Sequence, residues 1–367
     1  MSQSAVASTP VKTAADVTRI SIVVPCRNEA KHIRKLLDSV IAQDLEGLDW
    51  ELLIADGMSN DGTREILAEY HQRIPRIRLI DNPRGAVSPG LNRAIADSRG
   101  DIILRMDAHT EYAPNYVKKC VEVLKSTGAA NVGGPALAVS DTFWGRAIAS
   151  AYRSPFACGG ARFHNPKYEG FVDTVPYGCW WRKGLDEVGG FDERMVRNQD
   201  DELNLRICRS GGKIWQTPEI VSWYHPRNNL KALYRQYFQY GFWKVAVIQK
   251  HKLPASWRHL IPVLWVLFYF AALLTVAGSF ALGRTDLTAY AGALWLLGVA
   301  AYVSVSLLAA VKAASQDGWE LLPALPVAFG VYHFSYGFGF LCGLLYWPFA
   351  KASGGADAPK GFTALSR

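Results

Sequence analysis

Acidic side chains stand at three places along the chain where their spacing could support chemistry on a bound ligand. Asp56 and Asp107 each follow a short apolar segment, and Asp200 is followed directly by Asp201. In an open parallel sheet, ligands bind at the carboxyl ends of the strands. We therefore predict that Asp56 and Asp107 converge on one ligand and that the pair at 200 and 201 acts on it.

Each of these places also has a plainer interpretation. Asp107 and His109 are two residues apart, so on an extended segment they share a face and suit Mn²⁺ or a similar divalent ion, but such pairs also occur in ordinary loops. Asp200 and Asp201 open a predicted helix, where the macrodipole favours the ionised form that a general base needs, although simple capping would explain them too. Asp56 could accept hydrogen bonds from a nucleobase or ribose, or belong to a capped loop.

The 367-residue chain divides into a part typical of soluble proteins and an apolar part. Half of its residues are hydrophobic, and three long apolar segments after about residue 255 account for the excess. The six cysteines are scattered without a Cys-x-x-Cys pair, which argues against a zinc ribbon or a disulfide framework and fits a reducing compartment. The formal charge of +8 suits a nucleic-acid binder or a protein on an anionic membrane surface. The apolar segments favour the membrane, so we expect no nucleic-acid partner.

The hydrophobic periodicity of the first part predicts alternating strands and helices, which is typical of an α/β fold with a mostly parallel sheet covered by helices. Strands are expected at 19–24, 52–55, 76–80, 101–106 and 131–134, and helices at 29–43, 61–71, 89–98, 116–127, 200–210 and 230–249. The aromatic segment 140–175 is either an excursion that packs on the sheet or a binding surface for a second substrate.

Three apolar segments in the second part are long enough to cross a bilayer. They cover residues 260–282, 287–311 and 321–349. The third contains prolines, so a re-entrant hairpin is an alternative to a full crossing, and its glycines could pack within one chain or against a second copy. His333 is polar at membrane depth, which indicates function or packing. The basic residues between 244 and 258 place the preceding domain on the cytoplasmic side by the positive-inside rule.

Five motifs occur in an order that resembles the family 2 glycosyltransferases of the GT-A fold. They are Ile22-Val-Val-Pro-Cys-Arg-Asn-Glu29, Asp56-Gly-Met-Ser-Asn-Asp-Gly-Thr63, Asp107-Ala-His109, Gly189-Gly-Phe-Asp-Glu193 and Asp200-Asp-Glu-Leu-Asn-Leu-Arg206. The resemblance covers residues 19–250. The aromatic segment 235–244 and the apolar part are most similar to the bacterial exopolysaccharide branch, and within it to the succinoglycan-type glucosyltransferases.

The resemblance implies a UDP-sugar donor, a divalent metal (Mn²⁺ or Mg²⁺) and residues that contact them. The nucleoside contacts carried over are Pro25, Arg27, Glu29 and Asp56, and the contacts to the diphosphate are Arg235 and Lys244. The metal ligands carried over are Asp107, His109 in place of the family's second aspartate, and His225. Independently of the family, Arg84 lies in a predicted loop, where it could donate to phosphate oxygens or face solvent.

The resemblance also implies a catalytic base and an acceptor wall. The base of the family is the second acid of a Glu-Asp-x-Asp-Leu motif, which aligns with Asp200, and a shift of one residue would place it on Asp201. Gln199 replaces the first acid of that motif. The acceptor wall corresponds to Cys179, Trp180, Trp181 and Arg182. Gln236 lacks the following Arg-Trp of processive synthases, which favours a non-processive enzyme.

These inferences predict an inverting, metal-dependent glycosyltransferase that moves a sugar from a UDP-sugar to a hydroxyl of a polyprenyl-diphosphate-linked saccharide. It would reside in the bacterial inner membrane with its catalytic domain in the cytoplasm. The alternatives are a transferase that acts on polyprenyl phosphate directly and a non-catalytic scaffold for polysaccharide assembly. The predicted organisation is a disordered lead without a secretory signal at 1–18, a GT-A domain at 19–255, about three spans at 256–350 and a polar tail at 351–367.

Overall fold

The structure, a computed structural model, describes residues 18–254 and 256–350. The predicted lead and tail lie outside the described residues, apart from Thr18. The described strands are β1 (Arg19–Cys26), β2 (Asp49–Asp56), β3 (Ile77–Asp81), β4 (Ile102–Arg105), β5 (Glu111–Tyr112), β6 (Asn131–Gly133), β7 (Ala136–Ala138), β8 (Gly170–Val172), β9 (Cys179–Trp181), β10 (Ile214–Gln216) and β11 (Ser222–Tyr224). The helices are α1 (Ile33–Ile41), α2 (Thr63–Arg73), α3 (Val87–Asp97), α4 (Tyr116–Thr127), α5 (Phe143–Arg153), α6 (Pro155–Cys158), α7 (Arg182–Val188), α8 (Gln199–Arg209), α9 (Leu230–His251), α10 (Ile261–Ala281), α11 (Thr285–Asp317) and α12 (Leu325–Ala350).

Eight of the described strands form one sheet in the order β3-β2-β1-β4-β9-β6-β10-β8. β1 pairs in parallel with β2 and with β4. The pairs β2–β3 and β6–β10 are also parallel, whereas β9 and β8 run antiparallel to their neighbours. The chain therefore has the α/β fold with a mostly parallel sheet that the sequence predicts. The sequence analysis does not anticipate β9, which returns through the middle of the sheet. A small second sheet, β5-β11-β7, adjoins it.

The two faces of the sheet carry separate hydrophobic clusters. Alternate side chains of β1 divide between them: Ile20, Ile22 and Val24 pack with α1 and α4, whereas Val23 packs with α3 and α8. Such burial on both faces is expected for a central strand of a parallel sheet. The helices bury apolar stripes against the sheet, as α1 does with Ile33, Leu36, Leu37 and Val40. This packing fixes the strand ends on which the candidate site is built.

Three helices among the described residues are long and apolar enough to cross a membrane. They are α10 with the short 3-10 helix before it, α11 and α12. The third predicted span is one continuous helix in the structure, not a re-entrant hairpin. Pro326 lies in its first turn, where the missing backbone N–H disturbs no helical hydrogen bond.

His333, which the sequence analysis predicts to lie at membrane depth, uses both ring nitrogens in contacts between helices. Its Nδ1 lies 2.8 Å from the hydroxyl of Tyr302, and its Nε2 lies 2.8 Å from the carbonyl oxygen of Phe156. These contacts join α12 to α11 and to α6. They fit the packing interpretation of His333.

Helix α9 packs closely along α12 and joins the sheet domain to the membrane helices. A side chain at Gly339 would overlap the backbone carbonyl oxygen of Phe238, and one at Gly241 would overlap that of Tyr336. Glycine at both positions lets the two backbones approach, as small residues do between membrane helices. The glycines that the sequence analysis noted in the third span thus pack, at Gly339, against α9 of the same chain.

Candidate active site

One cavity of about 1310 Å³ lies at the carboxyl-terminal edge of the sheet and extends to the apolar helices that follow the sheet domain. At the sheet it is lined by residues in or just after the ends of β1 and β4, among them Pro25, Arg27, Glu29, Asp107 and His109. We call its other part the membrane-facing end, which is lined by Tyr152, Phe156, His164, Lys244, Arg258, His259, Trp265, Tyr302 and Tyr336. A single cavity therefore connects the strand ends, where ligands bind in such folds, with the apolar helices.

Arg27 forms part of the cavity wall between the loops that follow β2 and β3. Its side chain packs against Gly57, and its Nη1 donates to the carbonyl oxygen of Gly85 over 3.4 Å. Gly85 has a φ of +63°, and an added side chain there would collide with the guanidinium of Arg27. The close approach of Arg27 thus depends on glycine at this position.

Asp56, at the end of β2, is fully buried and its carboxylate is bound within the protein. It accepts hydrogen bonds from the backbone N–H of Ser59 at 3.0 Å, from the Ser59 hydroxyl and from Nη1 of Arg64 at 2.8 Å. Arg64 also donates to Asp81 at 2.7 Å. Asp56 does not line the cavity, whereas Arg27 and Glu29 do. In this structure the Asp56 carboxylate fixes the loop after β2.

Arg105, the last residue of β4, joins two of the predicted site carboxylates. Its Nε donates to Oδ1 of Asp107 at 3.0 Å, and its Nη1 donates to Asp200. Burial opposes the positive charge of Arg105, but the two carboxylates outweigh burial and hold its pKa above the ordinary value. The sequence analysis does not name Arg105. A charged residue at the end of an apolar strand could have indicated that it belongs to the site.

Asp200 has the raised pKa that suits a general base. Burial, the largest cause, raises its pKa to about 6; Arg105 opposes that shift, and the nearby charges of Asp107 and Asp201 add to it. The side chain is 31% exposed and lines the cavity. A carboxylate with this pKa is still ionised near neutral pH and is more basic than an ordinary aspartate.

Asp201 has the opposite electrostatic environment. Its Oδ2 lies 2.6 Å from Nζ of Lys244, which α9 holds in a buried position. Burial raises the pKa of Asp201, but the charge of Lys244 outweighs burial, and the pKa lies below its ordinary value. Environments that push the pKa values of neighbouring acids apart give them different roles. The geometry favours Asp200 as proton acceptor and Asp201 as the partner of Lys244.

Asp107 and His109 both line the cavity and offer an oxygen and a nitrogen donor that suit Mn²⁺ or Mg²⁺. Nδ1 of His109 lies 3.4 Å from Oε1 of Glu29, whereas Nε2 of His225 lies 2.8 Å from Oε1 of Glu111. No cluster of three His, Cys, Asp or Glu side chains placed to hold a metal occurs within the described residues. Asp107 and His109 therefore fit part of a metal site, and the other ligands would have to be phosphate oxygens or water.

Arg84 and Arg235, two of the predicted phosphate contacts, do not line the cavity. Arg84 forms an ion pair with Glu193, and Arg235 is exposed on α9. The cavity wall instead carries Arg197 and Arg227, which sequence reasoning does not single out. Burial lowers the pKa of Arg197, and the positive charge of Arg227 lowers it further.

The four residues of the predicted acceptor wall also lie away from the cavity. Cys179 and Trp180 are buried in the core on β9. Because β9 runs antiparallel to β4, Trp181 lies opposite Ile102, at the amino end of β4. Arg182 follows there, and its Nε donates to the carbonyl oxygen of Gly100 at 2.6 Å. These side chains support the sheet.

The aromatic segment 140–175 reaches the cavity with Tyr152, Phe156 and Phe163. Helices α5 and α6 carry the first two, and Thr142 caps α5 by accepting a hydrogen bond from the backbone N–H of Gly145. Of the two interpretations of this segment, its place in the cavity wall suits a binding surface for a second substrate, which stays a prediction.

Comparison with known proteins connects this geometry to a family. The family model "Glycosyl transferase family 2" matches residues 21–189. The succinoglycan biosynthesis protein ExoA of Rhizobium meliloti is 33% identical over 257 residues, which are 70% of this chain and 78% of that protein. A dolichyl N-acetyl-α-D-glucosaminyl phosphate 3-β-D-2,3-diacetamido-2,3-dideoxy-β-D-glucuronosyltransferase of Methanococcus voltae is 27% identical over 334 residues, 89% of this chain and 97% of that protein.

A solved structure supports the same fold. The mannosyltransferase PcManGT from Pyrobaculum calidifontis, in complex with GDP-Man and Mn²⁺, superposes with a TM-score of 0.56 at 20% sequence identity. The match covers 86% of this chain and 87% of that protein. It therefore includes the helices after the sheet domain as well as the domain itself.

Proposed function

The chain belongs to glycosyltransferase family 2, and from that premise we propose that it transfers a sugar from a UDP-sugar to a hydroxyl group of a lipid-linked saccharide. The observation that carries this proposal is the single cavity, which holds Asp107, Arg105 and Asp200 together and continues to the membrane helices. A donor bound at the strand ends and an acceptor that enters from the membrane would meet at Asp200.

Asp200 accepts the proton of the acceptor hydroxyl in the proposed reaction. The hydroxyl oxygen then attacks the anomeric carbon from the side opposite the diphosphate, the bond from that carbon to the diphosphate oxygen breaks, and the configuration inverts. Arg105 holds Asp200 in place through Nη1 and positions Asp107 through Nε. The raised pKa of Asp200 favours a hydroxyl acceptor over a phosphate acceptor, because an ionised phosphate needs no base.

The UDP group would lie at the sheet end, against Pro25, Arg27 and Glu29. Asp56 would act through the loop that it fixes. Arg197 and Arg227, both half-buried in the cavity wall, would face the diphosphate in place of Arg84 and Arg235.

Asp107 and His109 would hold a divalent ion together with phosphate oxygens of the donor. When bound, such an ion neutralises negative charge on the departing UDP. His225 also lines the cavity, and it would have to leave Glu111 to become a further ligand.

The acceptor would be carried by a polyprenyl diphosphate in a bacterial inner membrane, with the sheet domain in the cytoplasm. Three apolar helices and the basic residues near 244–258 support this placement. The name of the Methanococcus relative describes a transferase that acts on a sugar linked to a lipid phosphate. The similarity to ExoA supports a role in exopolysaccharide synthesis.

The direct test uses the full-length protein in detergent with Mn²⁺, radiolabelled UDP-sugars and either polyprenyl-diphosphate-linked saccharides or polyprenyl phosphate. We expect one UDP-sugar to label the saccharide-bearing lipid and EDTA to stop the labelling. Labelling of polyprenyl phosphate alone would contradict the hydroxyl acceptor. An absence of transfer from every UDP-sugar would contradict the donor.

A further inference from the structure

Four polar side-chain atoms at the membrane-facing end of the cavity are buried and have no hydrogen-bond partner within residues 18–254 and 256–350. They are Nδ1 of His164, Nδ1 of His259, Nε1 of Trp265 and Oη of Tyr336. All four side chains line the cavity. Burying such atoms without a partner costs free energy, and in native proteins they are nearly always paired with protein, water or ligand. Their concentration at one place indicates that a polar ligand binds there.

Two cations lie in the same part of the cavity, each beside one carboxylate. Nζ of Lys244 lies 2.6 Å from Asp201, and the guanidinium of Arg258 pairs with Asp173. Burial raises the pKa of Asp201, but Lys244 first, and then His259 and Arg258, lower it below the ordinary value. These three groups therefore lie within electrostatic range of Asp201, which directly follows Asp200.

The ring of His164 is neutral in this environment. Burial, and after it the charge of Arg258, lowers the pKa of His164 to about 3. A neutral imidazole can donate or accept through the unpaired Nδ1. Its role next to Arg258 would be hydrogen bonding, while the cations supply the positive charge.

The position of Arg258 is built into the fold. The residue lies on the 3-10 helix Trp257–His259, between α9 and α10. Gly159 ends α6 with a φ of +67°, and an added Cβ there would lie 3.0 Å from Cβ of Arg258. The side chain of Arg258 is 18% exposed, so its charge is largely shielded from bulk water. An anion in the cavity would therefore interact strongly with it.

Beyond these polar groups the cavity wall is aromatic and reaches the membrane helices. Trp265 of α10 stacks on Tyr302 of α11, with ring centroids 5.0 Å apart and an interplanar angle of 10°. Phe156 of α6 lies against Tyr302 at 5.7 Å between centroids. All three side chains line the cavity. A ligand that fills this end needs an anionic or polar group near Arg258 and an apolar part beside Trp265.

We propose that the membrane-facing end binds the phosphate of the lipid carrier through Lys244, Arg258 and His259, and that the hydrocarbon chain leaves past Trp265. The proposal rests on the proposed function, because it assigns the part of the acceptor that lies next to the sugar. Asp201 and Asp173 hold the two cations in place until the phosphate binds. The hydroxyl of Tyr336 donates to the same phosphate.

The test measures binding of a fluorescent short-chain polyprenyl diphosphate to the full-length protein in detergent micelles. We expect Arg258→Gln to weaken binding by about tenfold to a hundredfold, because a buried charge-assisted hydrogen bond is lost. Tyr336→Phe removes only the hydroxyl and should weaken binding about threefold to tenfold. The matched control is Arg146→Gln, which breaks an ion pair with Glu320 outside the cavity and should leave binding unchanged.

Asp173→Asn separates phosphate binding from a merely structural ion pair. This change removes the partner of Arg258 but keeps its positive charge, so we expect binding at least as tight as in the unchanged protein. If the ion pair only stabilises the fold, Arg258→Gln and Asp173→Asn will weaken binding alike, and the assignment is overturned. Because both variants lose the same ion pair, we also expect their thermal unfolding midpoints to be equal.

Three ligands distinguish this proposal from its alternatives. A polyprenol without phosphate should bind at least tenfold more weakly than the diphosphate, and inorganic phosphate should not displace the lipid at equal concentration. Tight binding of inorganic phosphate would overturn the lipid assignment. If the unchanged protein binds UDP but no polyprenyl diphosphate, both the lipid acceptor and this site are refuted. If it binds the lipid and Arg258→Gln binds equally well, only this site is refuted.

Discussion

At the scale of residues, two adjacent aspartates differ because their partners come from different parts of the chain. Asp200 contacts Arg105 of β4, and Asp201 contacts Lys244 of α9. Burial dominates for the first and raises its pKa, whereas the cation dominates for the second and lowers its pKa. The sequence alone allows either aspartate to be the base, because the family motif can be aligned in two registers. The structure supplies a physical reason to prefer Asp200.

The pH dependence of transfer should report on Asp200. A general base acts in its ionised form, so kcat/KM should fall as pH falls through the pKa of about 6 and lose about tenfold per pH unit below it. Initial rates measured from pH 4.5 to 8 at a saturating metal concentration would show this decrease in kcat/KM. The pKa of Asp201 lies below the ordinary value near 4, so a rate that stays constant down to about pH 4.5 would point to Asp201 instead.

At the scale of elements, hydrophobic periodicity predicts β1 to β4 and β6 with the helices between them, and the length of the apolar segments predicts the three apolar helices. Neither predicts β9 or the other two- and three-residue strands, because so few residues carry no period of their own. The family resemblance that assigned residues 179–182 to an acceptor wall did not show that Cys179 and Trp180 are buried in the sheet. The ion pair between Arg105 and Asp200 also could not be predicted from the sequence, because it joins residues 95 positions apart and depends on the packed sheet.

Close packing of α9 on α12 should make Gly339 sensitive to any side chain. We expect Gly339→Ala to lower the free energy of unfolding by about 1–3 kcal/mol, because the new methyl group overlaps the carbonyl oxygen of Phe238. Gly330 lies on the same helix with no atom within 4 Å of an added Cβ, so Gly330→Ala should be neutral or slightly stabilising. Thermal unfolding of both full-length variants in detergent provides the comparison. Equal unfolding midpoints would contradict the close packing.

At the scale of the whole molecule, the sheet domain and the membrane helices build one cavity together. The strand ends carry the proposed nucleotide contacts, α8 carries the proposed base Asp200, and α9, α10 and α12 line the membrane-facing end. Because α9 packs on α12 and also carries Lys244, the position of the membrane helices is coupled to the environment of Asp201. The proposed transfer therefore depends on the sheet domain and the apolar helices together.

The most direct test of the account compares Asp200→Asn with Asp201→Asn in the full-length enzyme, with transfer and UDP affinity measured on the same preparations. We predict that Asp200→Asn lowers kcat by about 10²–10⁴-fold while the Kd for UDP changes less than about twofold, because the base would touch the acceptor hydroxyl and not the nucleotide. Asp201→Asn should remain at least tenfold faster than Asp200→Asn. Transfer at the unchanged rate in Asp200→Asn, or a larger loss in Asp201→Asn, would contradict the assignment of the base.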